Sequence, residues 1–385
     1  VLRRIWRRLS GNAVIAAEMR GQGGVPYLPR PRLEALRDRR VRQVVQFAAR
    51  TVPHYREWFE REGLDPRQIA GAADLERLPI LDRRMVRARP ERFVAETSAA
   101  RAGLAFTTSG TTGEPLVVRH DRRSLLANIA HGERERAPIN QLCGGEFRPK
   151  EVYVGYETST FKQVQAFYEE NTMLPVRPRR RFVSLLEPIE TVAGIVNAER
   201  PDVLVGYGGW LGVFFRTVEA RGLPLHKPRM VLSMGEALPH GARAHIEETL
   251  GVPLLSRYNA VEAFKIGFSC ERRTGFHLHE DLCHVRAVGG DGRDVPPGYP
   301  GTLILSNLVN RGTVLLNYPI GDVGSLAEEG CPCGRTLRLL SELEGRVEDM
   351  LRLADGMAVH PRAVWETLKG ERAILQYQLT QLEAR

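Results

Sequence analysis

Hydrophobic and polar positions follow two different rhythms along this chain. Near its start, Val1, Leu2, Ile5, Trp6 and Leu9 recur with arginines between them, the three-to-four spacing of a basic amphipathic helix. That helix is expected to pack against the body of the protein, with docking on a membrane surface as the lesser alternative. The pattern predicts further helix over 33–50, and a shorter one from His54 to Glu62, stopped by Gly63. Leu78-Pro79-Ile80-Leu81-Asp82 reads as a short buried connector. In the middle of the chain, apolar runs alternate with helical patterns. Strands are predicted at 151–155, 202–207 and 229–233, and helices at 122–131, 188–199, 209–220 and 240–250. Such alternation argues an α/β domain with a largely parallel sheet. From about 283 the rhythm changes to short strands, at 303–305, 314–316 and 323–326, which predicts a β-rich subdomain beside the α/β body. The arginine-rich run 177–181 reads as an exposed loop or a junction.

Composition narrows the class. At 385 residues the chain is long enough for two or three units, and its 43% apolar content supports a large core. No run approaches the roughly 18 apolar residues that cross a bilayer, so a membrane is not an expected partner. The net charge of +9 comes almost wholly from scattered arginines, many beside acids, as in Glu133-Arg134-Glu135-Arg136. That pattern suits a solvated mixed surface, and nucleic acid is not expected. Five cysteines, an odd number with no secretory signal ahead of them, argue for a reducing cytoplasm. The first residue is Val, so the chain reads as a fragment.

The strongest candidate chemistry lies at Phe106-Thr107-Thr108-Ser109-Gly110-Thr111-Thr112-Gly113-Glu114-Pro115, between apolar approaches at 104–106 and 116–118. This predicts strand, tight loop, strand. Glycines let successive N–H groups converge into an anion nest, and hydroxyls add donors suited to phosphate. The Gly-Lys-Ser/Thr ending of a Walker loop is missing, so contact with nucleotide phosphates would be transient. An ordinary hairpin turn is the bland alternative.

Four further segments follow in order: Gly235-Glu236-Ala237-Leu238, Tyr258-Asn259-Ala260-Val261-Glu262, Tyr318-Pro319-Ile320-Gly321-Asp322 and Gly345-Arg346-Val347-Glu348-Asp349. With the hydroxyl-rich loop, their order and spacing resemble the adenylate-forming superfamily of acyl-CoA synthetases and adenylation domains. Cys331-Pro332-Cys333-Gly334-Arg335 and the leader Val52-Pro53-His54-Tyr55-Arg56 resemble its phenylacetate–CoA ligase branch, with capsule-biosynthesis-like relatives. The resemblance spans essentially the whole chain. It implies a large N-terminal adenylate-forming domain over 1–345, then a hinge and the start of a truncated C-terminal lid over 346–385. Only 37 residues follow Glu348, the hinge position by the resemblance, too few for the family's complete lid with its catalytic Lys.

The resemblance also implies roles. Thr108, Ser109, Gly110, Thr111, Thr112 and Gly113 would hold the pyrophosphate portion of ATP. Glu262 would hold Mg²⁺, a hard ion that takes carboxylate and phosphate oxygens. Asp322 would accept from the ribose hydroxyls, and Arg346 would reach the ribose or the α-phosphate. Gly235, Glu236 and Ala237 would border the adenine, with Tyr258 stacking on it and Asn259, Ala260 and Val261 alongside. Glu262, Arg346 and Thr108 are the expected catalytic residues. Tyr207, Gly208, Gly209, Trp210 and Ala260 would shape the acyl pocket, where glycines beside aromatics suit a flat aryl or arylacetic acid.

The sequence departs from the family at Val261, where a Ser or Thr usually contacts phosphate, and at Asn259, usually Gly. Lys265 lies near enough to be a replacement cation, with an ordinary surface Lys as the equal alternative. Cys270, His277, Cys331 and Cys333 could satisfy a tetrahedral zinc, with His279 and Cys283 as alternates and buried free thiols as the rival reading. By the resemblance, these four fall where some relatives hold a structural zinc. The expected activity is ATP-dependent conversion of a small carboxylic acid, aromatic by preference, to an acyl-adenylate, then transfer to coenzyme A. A carrier-protein thiol or an amine is the alternative acceptor. A decayed fold acting as a binding or scaffold protein is the rival from another class. A homodimer is left open.

Overall fold

The inner parallel strands, Val203–Gly206 and Met230–Ser233, are buried throughout because helices cover both faces of their sheet. A computed structural model describes residues 2–108, 115–146, 148–173, 179–236, 238–346, 351–352, 358–359 and 381. Its helices are α1 (Leu2–Met19), α2 (Arg30–Thr51), α3 (Pro53–Glu62), α4 (Arg83–Ala88), α5 (Ser98–Arg101), α6 (Arg122–His131), α7 (Glu133–Leu142), α8 (Thr160–Asn171), α9 (Ile189–Glu199), α10 (Gly208–Ala220) and α11 (His240–Ala244). A hairpin, β1 (Leu104–Thr107) with β2 (Val117–His120), stands apart from the main sheet. The main sheet is built from β3 (Lys150–Gly155), β4 (Arg179–Ser184), β5 (Val203–Gly206), β6 (Met230–Ser233), β7 (Leu254–Tyr258), β8 (Gly267–Phe268), β9 (Phe276–Leu278), β10 (Cys283–Val288), β11 (Pro300–Asn307), β12 (Tyr318–Leu326) and β13 (Leu339–Arg346). Leu351–Arg352 and Ala358–Val359 form a separate two-stranded pair.

The eleven strands run in the order β10-β11-β12-β13-β9-β8-β7-β6-β5-β3-β4. Pairing is parallel from β4 to β7 and antiparallel from β7 to β10. The β-rich part expected from about 283 is therefore present, and its strands extend the same sheet. On one face of the parallel half, Val152, Val154, Leu204 and Val231 pack with α9 and α10. On the other, Tyr153, Val203, Val205 and Met230 pack with α7. The largest core lies between the N-terminal helices α2 and α3 and strands β10 to β12.

Two local expectations fail. The described part of the arginine-rich run, Arg179 to Arg181, is not a loop, since Arg179–Ser184 forms the edge strand β4. Charged residues belong on an edge, and Arg180 is held there by Glu151 at 2.8 Å, with its guanidinium over the Phe161 ring. Val314-Leu315-Leu316, wholly buried, is not a strand. Its backbone groups bond outside any ladder: Val314 N–H donates to the Phe93 carbonyl and Leu316 N–H to the Tyr55 hydroxyl. The predicted helix over 240–250 is α11 followed by a π turn at His245–Thr249.

Candidate functional site

Strand β7 ends in Tyr258, whose ring is 6% exposed and whose hydroxyl donates to Asp322 Oδ2 at 2.6 Å. Burial, and then the Asp322 charge, push this phenol well above its usual range, so it remains a donor. Asp322 sits on β12 directly across from Arg346 on β13. The third, fourth and fifth sequence segments thus converge on one spot, although 88 residues separate the outer two positions in the numbering from Tyr258 to Arg346.

The loop after β7 is pinned from both sides. His120, at the end of β2, bonds the Val261 carbonyl at 2.7 Å, and Asn307 of β11 donates to the Glu262 carbonyl at 2.8 Å. Phe264 turns the chain with φ of 59°, its N–H donating to the Ala260 carbonyl. These contacts bury the Glu262 side chain to 8% exposure. Its carboxylate acts on Tyr258 and on buried Tyr318, helping burial to raise both phenols. Arg83 of α4 counters that at Tyr318 by its charge and by a side-chain hydrogen bond.

Gly321 explains how Arg83 reaches the site. Its φ is 90°, and a Cβ there would lie 2.5 Å from an Arg83 guanidinium nitrogen. Only glycine lets the cation pack onto the backbone next to Asp322. Asn317 holds the segment ahead of α4 in place, donating to the carbonyls of Leu75 and Leu78. Arg83, His120 and Asn307 are site residues that the motifs did not single out. No local signal marks them, because each acts across more than a hundred residues of sequence or from a separate element.

The hydroxyl-rich loop is carried by the β1–β2 hairpin, as its flanking apolar residues predict. Thr108 closes the hairpin mouth: its N–H donates to the Leu116 carbonyl at 2.9 Å, and its hydroxyl accepts from Leu116 N–H at 3.0 Å. Ser109, Gly110, Thr111, Thr112 and Gly113 lie outside the described residues, as do Ala237, Glu348 and the side chain of Arg346.

Gly235 and Glu236 follow β6, at the carboxyl ends of the parallel strands, where open α/β sheets bind ligands. Gly235 has φ of 80°, and a Cβ there would meet the Tyr207 ring at 2.6 Å. Glu236 Oε2 accepts from Gly209 N–H at 3.2 Å. Tyr207 also faces Tyr156, with ring centres 5.7 Å apart. Tyr207, Gly209, Gly235 and Glu236 are thereby brought together. Trp210 turns elsewhere, stacking on Phe214 at 4.8 Å within the α9–α10 core. Ala260 packs against the large core beside Tyr258.

Lys265 does not serve as a replacement cation. It is drawn inside by Glu135, 2.7 Å away, which also has Arg257 at 2.7 Å. Burial alone would raise the Glu135 carboxyl, but the two cations hold it well below its usual range. Next to this group, Arg134 grips Asp281 with two bonds, at 2.6 and 2.9 Å, and Arg40 adds a third at 2.6 Å.

Cys270, His277, Cys331 and Cys333 meet, their ligand atoms all within 4.8 Å of one another. Cys270 and Cys331 sulfurs are 3.7 Å apart, and Cys333 Sγ is 3.4 Å from His277 Nε2. A tetrahedron with Zn–S of about 2.3 Å and Zn–N of about 2.0–2.1 Å needs separations of about 3.8 and 3.6 Å. The four donors fit that ion. His279 and Cys283, the alternates, lie in other contacts: His279 faces Glu135, and the Cys283 thiol faces the Lys265 carbonyl.

Comparison with known proteins follows the same lines. No family model matches the chain. It is 27% identical over 345 residues to a phenylacetate-coenzyme A ligase of Thermus thermophilus, covering 88% of this chain and 75% of the relative. It is 24% identical over 368 residues to the phenylacetate-coenzyme A ligase of Escherichia coli K12, covering 90% and 78%. The chain is related to phenylacetate-coenzyme A ligases over most of its length. Its fold agrees with a crystal structure of 2-hydroxyisobutyryl-CoA ligase in the postadenylation state, with a TM-score of 0.70 at 19% identity, covering 90% of this chain and 74% of that one. Fold and relatives together point this ligase-like chain to the AMP-forming acid–thiol class of enzyme.

Proposed function

We propose that the chain activates a small aryl or arylacetic acid with ATP, forming an acyl-adenylate and pyrophosphate, and then passes the acyl group to the thiol of coenzyme A. The observation that carries this reading is the meeting of Tyr258, Glu262, Asp322 and the Arg346 position around one spot. In the first step the acid's carboxylate attacks the α-phosphorus, the bond to the bridging oxygen breaks, and pyrophosphate leaves. Catalysis of such a step is mostly positioning and charge neutralisation.

Each residue has a part in that positioning. A carboxylate has about four acceptor sites, so one bond from Tyr258 orients Asp322 toward the two ribose hydroxyls. Glu262, a hard oxygen donor in a buried setting, would hold Mg²⁺, which when bound offsets charge on the phosphates. Arg83 sets Tyr318 and the backbone at Gly321, and so the approach to Asp322. The hydroxyl-rich loop would enclose the departing pyrophosphate. The rings of Tyr207 and Tyr156 beside Gly209 and Gly235 favour a flat acid. Cys270, His277, Cys331 and Cys333 would hold a structural zinc that ties the end of β8 and strand β9 to the β12–β13 loop.

Val261 supports a second reading, a nucleotide-binding protein that no longer adenylates. An apolar side chain cannot donate to phosphate. The deciding test is pyrophosphate release from MgATP across aryl, arylacetic and short aliphatic acids, without and then with coenzyme A or a carrier-linked pantetheine thiol. Acid-dependent release lost in Glu262→Ala supports the ligase. ATP binding with no release for any acid favours the second reading.

A further inference from the structure

Helix α1 has an inner and an outer apolar face. Gly11 and Ile15 are buried against α6 and α8. Gly11 sits so close that a Cβ would fall 1.9 Å from the Asn171 carbonyl oxygen. The fully buried Asn171 then locks the helix, its Oδ1 accepting from Arg7 Nε and Arg122 Nε, each at 2.9 Å. With that face fixed inward, Leu2, Ile5, Trp6, Leu9, Ala13 and Ala16 share the opposite side of the helix by their three-to-four spacing. All six are exposed, Leu2 at 83%, Trp6 at 71%, Leu9 at 51% and Ile5 at 41%. The side of a packed helix that faces solvent is ordinarily polar. Here it is the apolar one.

By the helical spacing Arg3 and Arg8 border that stripe, while Arg4 and Arg7 lie toward the packed face, where Arg7 is tied to Asn171. The helix carries four arginines, Arg3, Arg4, Arg7 and Arg8, against the single Glu18. A shallow groove lined by Arg3, Trp6, Arg7, Ser10 and Arg122 runs along one border. An apolar centre rimmed by arginine matches a lipid surface with anionic headgroups: the apolar side chains enter the acyl boundary, and guanidinium groups meet phosphates. A second copy of the chain fits less well. The bulky residues cluster at positions 2–9, so self-pairing there would bring the two sets of arginines together. Among the described residues no helix is long and apolar enough to cross a membrane, so the contact is one of surface docking.

We propose that the outer face of α1 docks this protein on anionic membrane surfaces. This stands apart from the reading of the catalytic site. The test is flotation of the full chain with vesicles of phosphatidylcholine, alone or mixed with phosphatidylglycerol. Binding is expected only to the mixed vesicles, weakening as salt rises. The double variant Leu2→Ser, Trp6→Ser should lose at least about tenfold in partitioning, while its melting temperature stays within a degree or two of the parent because both side chains are exposed. Brominated lipid should quench Trp6 fluorescence in the parent. No flotation with anionic vesicles, or equal flotation of the double variant, overturns the proposal. So does a concentration-dependent dimer that the same two substitutions abolish.

Discussion

Removing the Tyr258 hydroxyl and removing the Asp322 charge should separate scaffold from chemistry. Their bond is 2.6 Å long and lies at a nearly buried ring. A hydrogen bond to a charged group is worth about 1.5–3 kcal/mol. Tyr258→Phe should therefore lower the unfolding free energy by about that amount, while leaving a carboxylate able to meet the ribose. Asp322→Asn keeps an acceptor for Tyr258 and so most of the stability. It loses the charge that two ribose hydroxyls would meet. Two such bonds at about 1.5 kcal/mol each give about 3 kcal/mol, a loss of about a hundredfold in kcat/KM for ATP. Urea unfolding and pyrophosphate release, run on the same preparations, read the two effects. 2′-DeoxyATP supplies the control, since it should be a poorer substrate for the parent but no poorer than ATP for Asp322→Asn. Parent-like kcat/KM for ATP in Asp322→Asn would refute the ribose assignment. A Tyr258→Phe protein of unchanged stability would refute the structural value given to the bond.

Other consequences can be measured directly. Burial drives the His120 imidazole down to about 4, and burial with Arg338, Arg37 and Arg286 drives that of His284 down to about 3. Unfolded imidazoles titrate near 6.5 and bind protons that the folded ones refuse, so stability falls as pH drops below about 6.5. Between pH 6.5 and 5 each His should cost about 2 kcal/mol; urea unfolding at pH 7, 6 and 5 reads this, and His284→Gln should reduce the slope. Arg134→Met leaves buried Asp281 with Arg40 as its remaining cation among the ion pairs described above and should cost about 3–5 kcal/mol; adding Asp281→Leu should recover much of it in a thermal melt. Metal analysis should find one zinc per chain, absent in Cys331→Ser, and cobalt loading should give tetrahedral absorption bands; a metal-free protein that binds neither ion would refute the site.

The helices and strands of the α/β body were readable because amphipathic spacing and uninterrupted apolar runs are local. The hairpin that flanks the hydroxyl-rich segment was readable for the same reason, since Leu104–Thr107 pairs with Val117–His120. The meeting of the four zinc donors rested on residue chemistry and on the resemblance, and the fold brings them together. Three misreadings have one cause. The arginines at 179–181, the buried stretch Val314–Leu316 and the cation Lys265 all depend on neighbours distant in sequence: Glu151 and the sheet edge, Tyr55 and Phe93, and Glu135.

By itself the sequence determined the order of elements, the family resemblance and the residue types able to bind phosphate, ribose and metal. Only the tertiary structure decided which of them touch. It joined Tyr258 to Asp322, laid Arg83 over Gly321, buried Lys265 and turned the apolar stripe of α1 outward. Periodicity states that a helix has an apolar face; it does not state which way that face points when a glycine on the other side offers the closer packing. Direction is set by contacts between distant segments, and those exist only once the chain has folded.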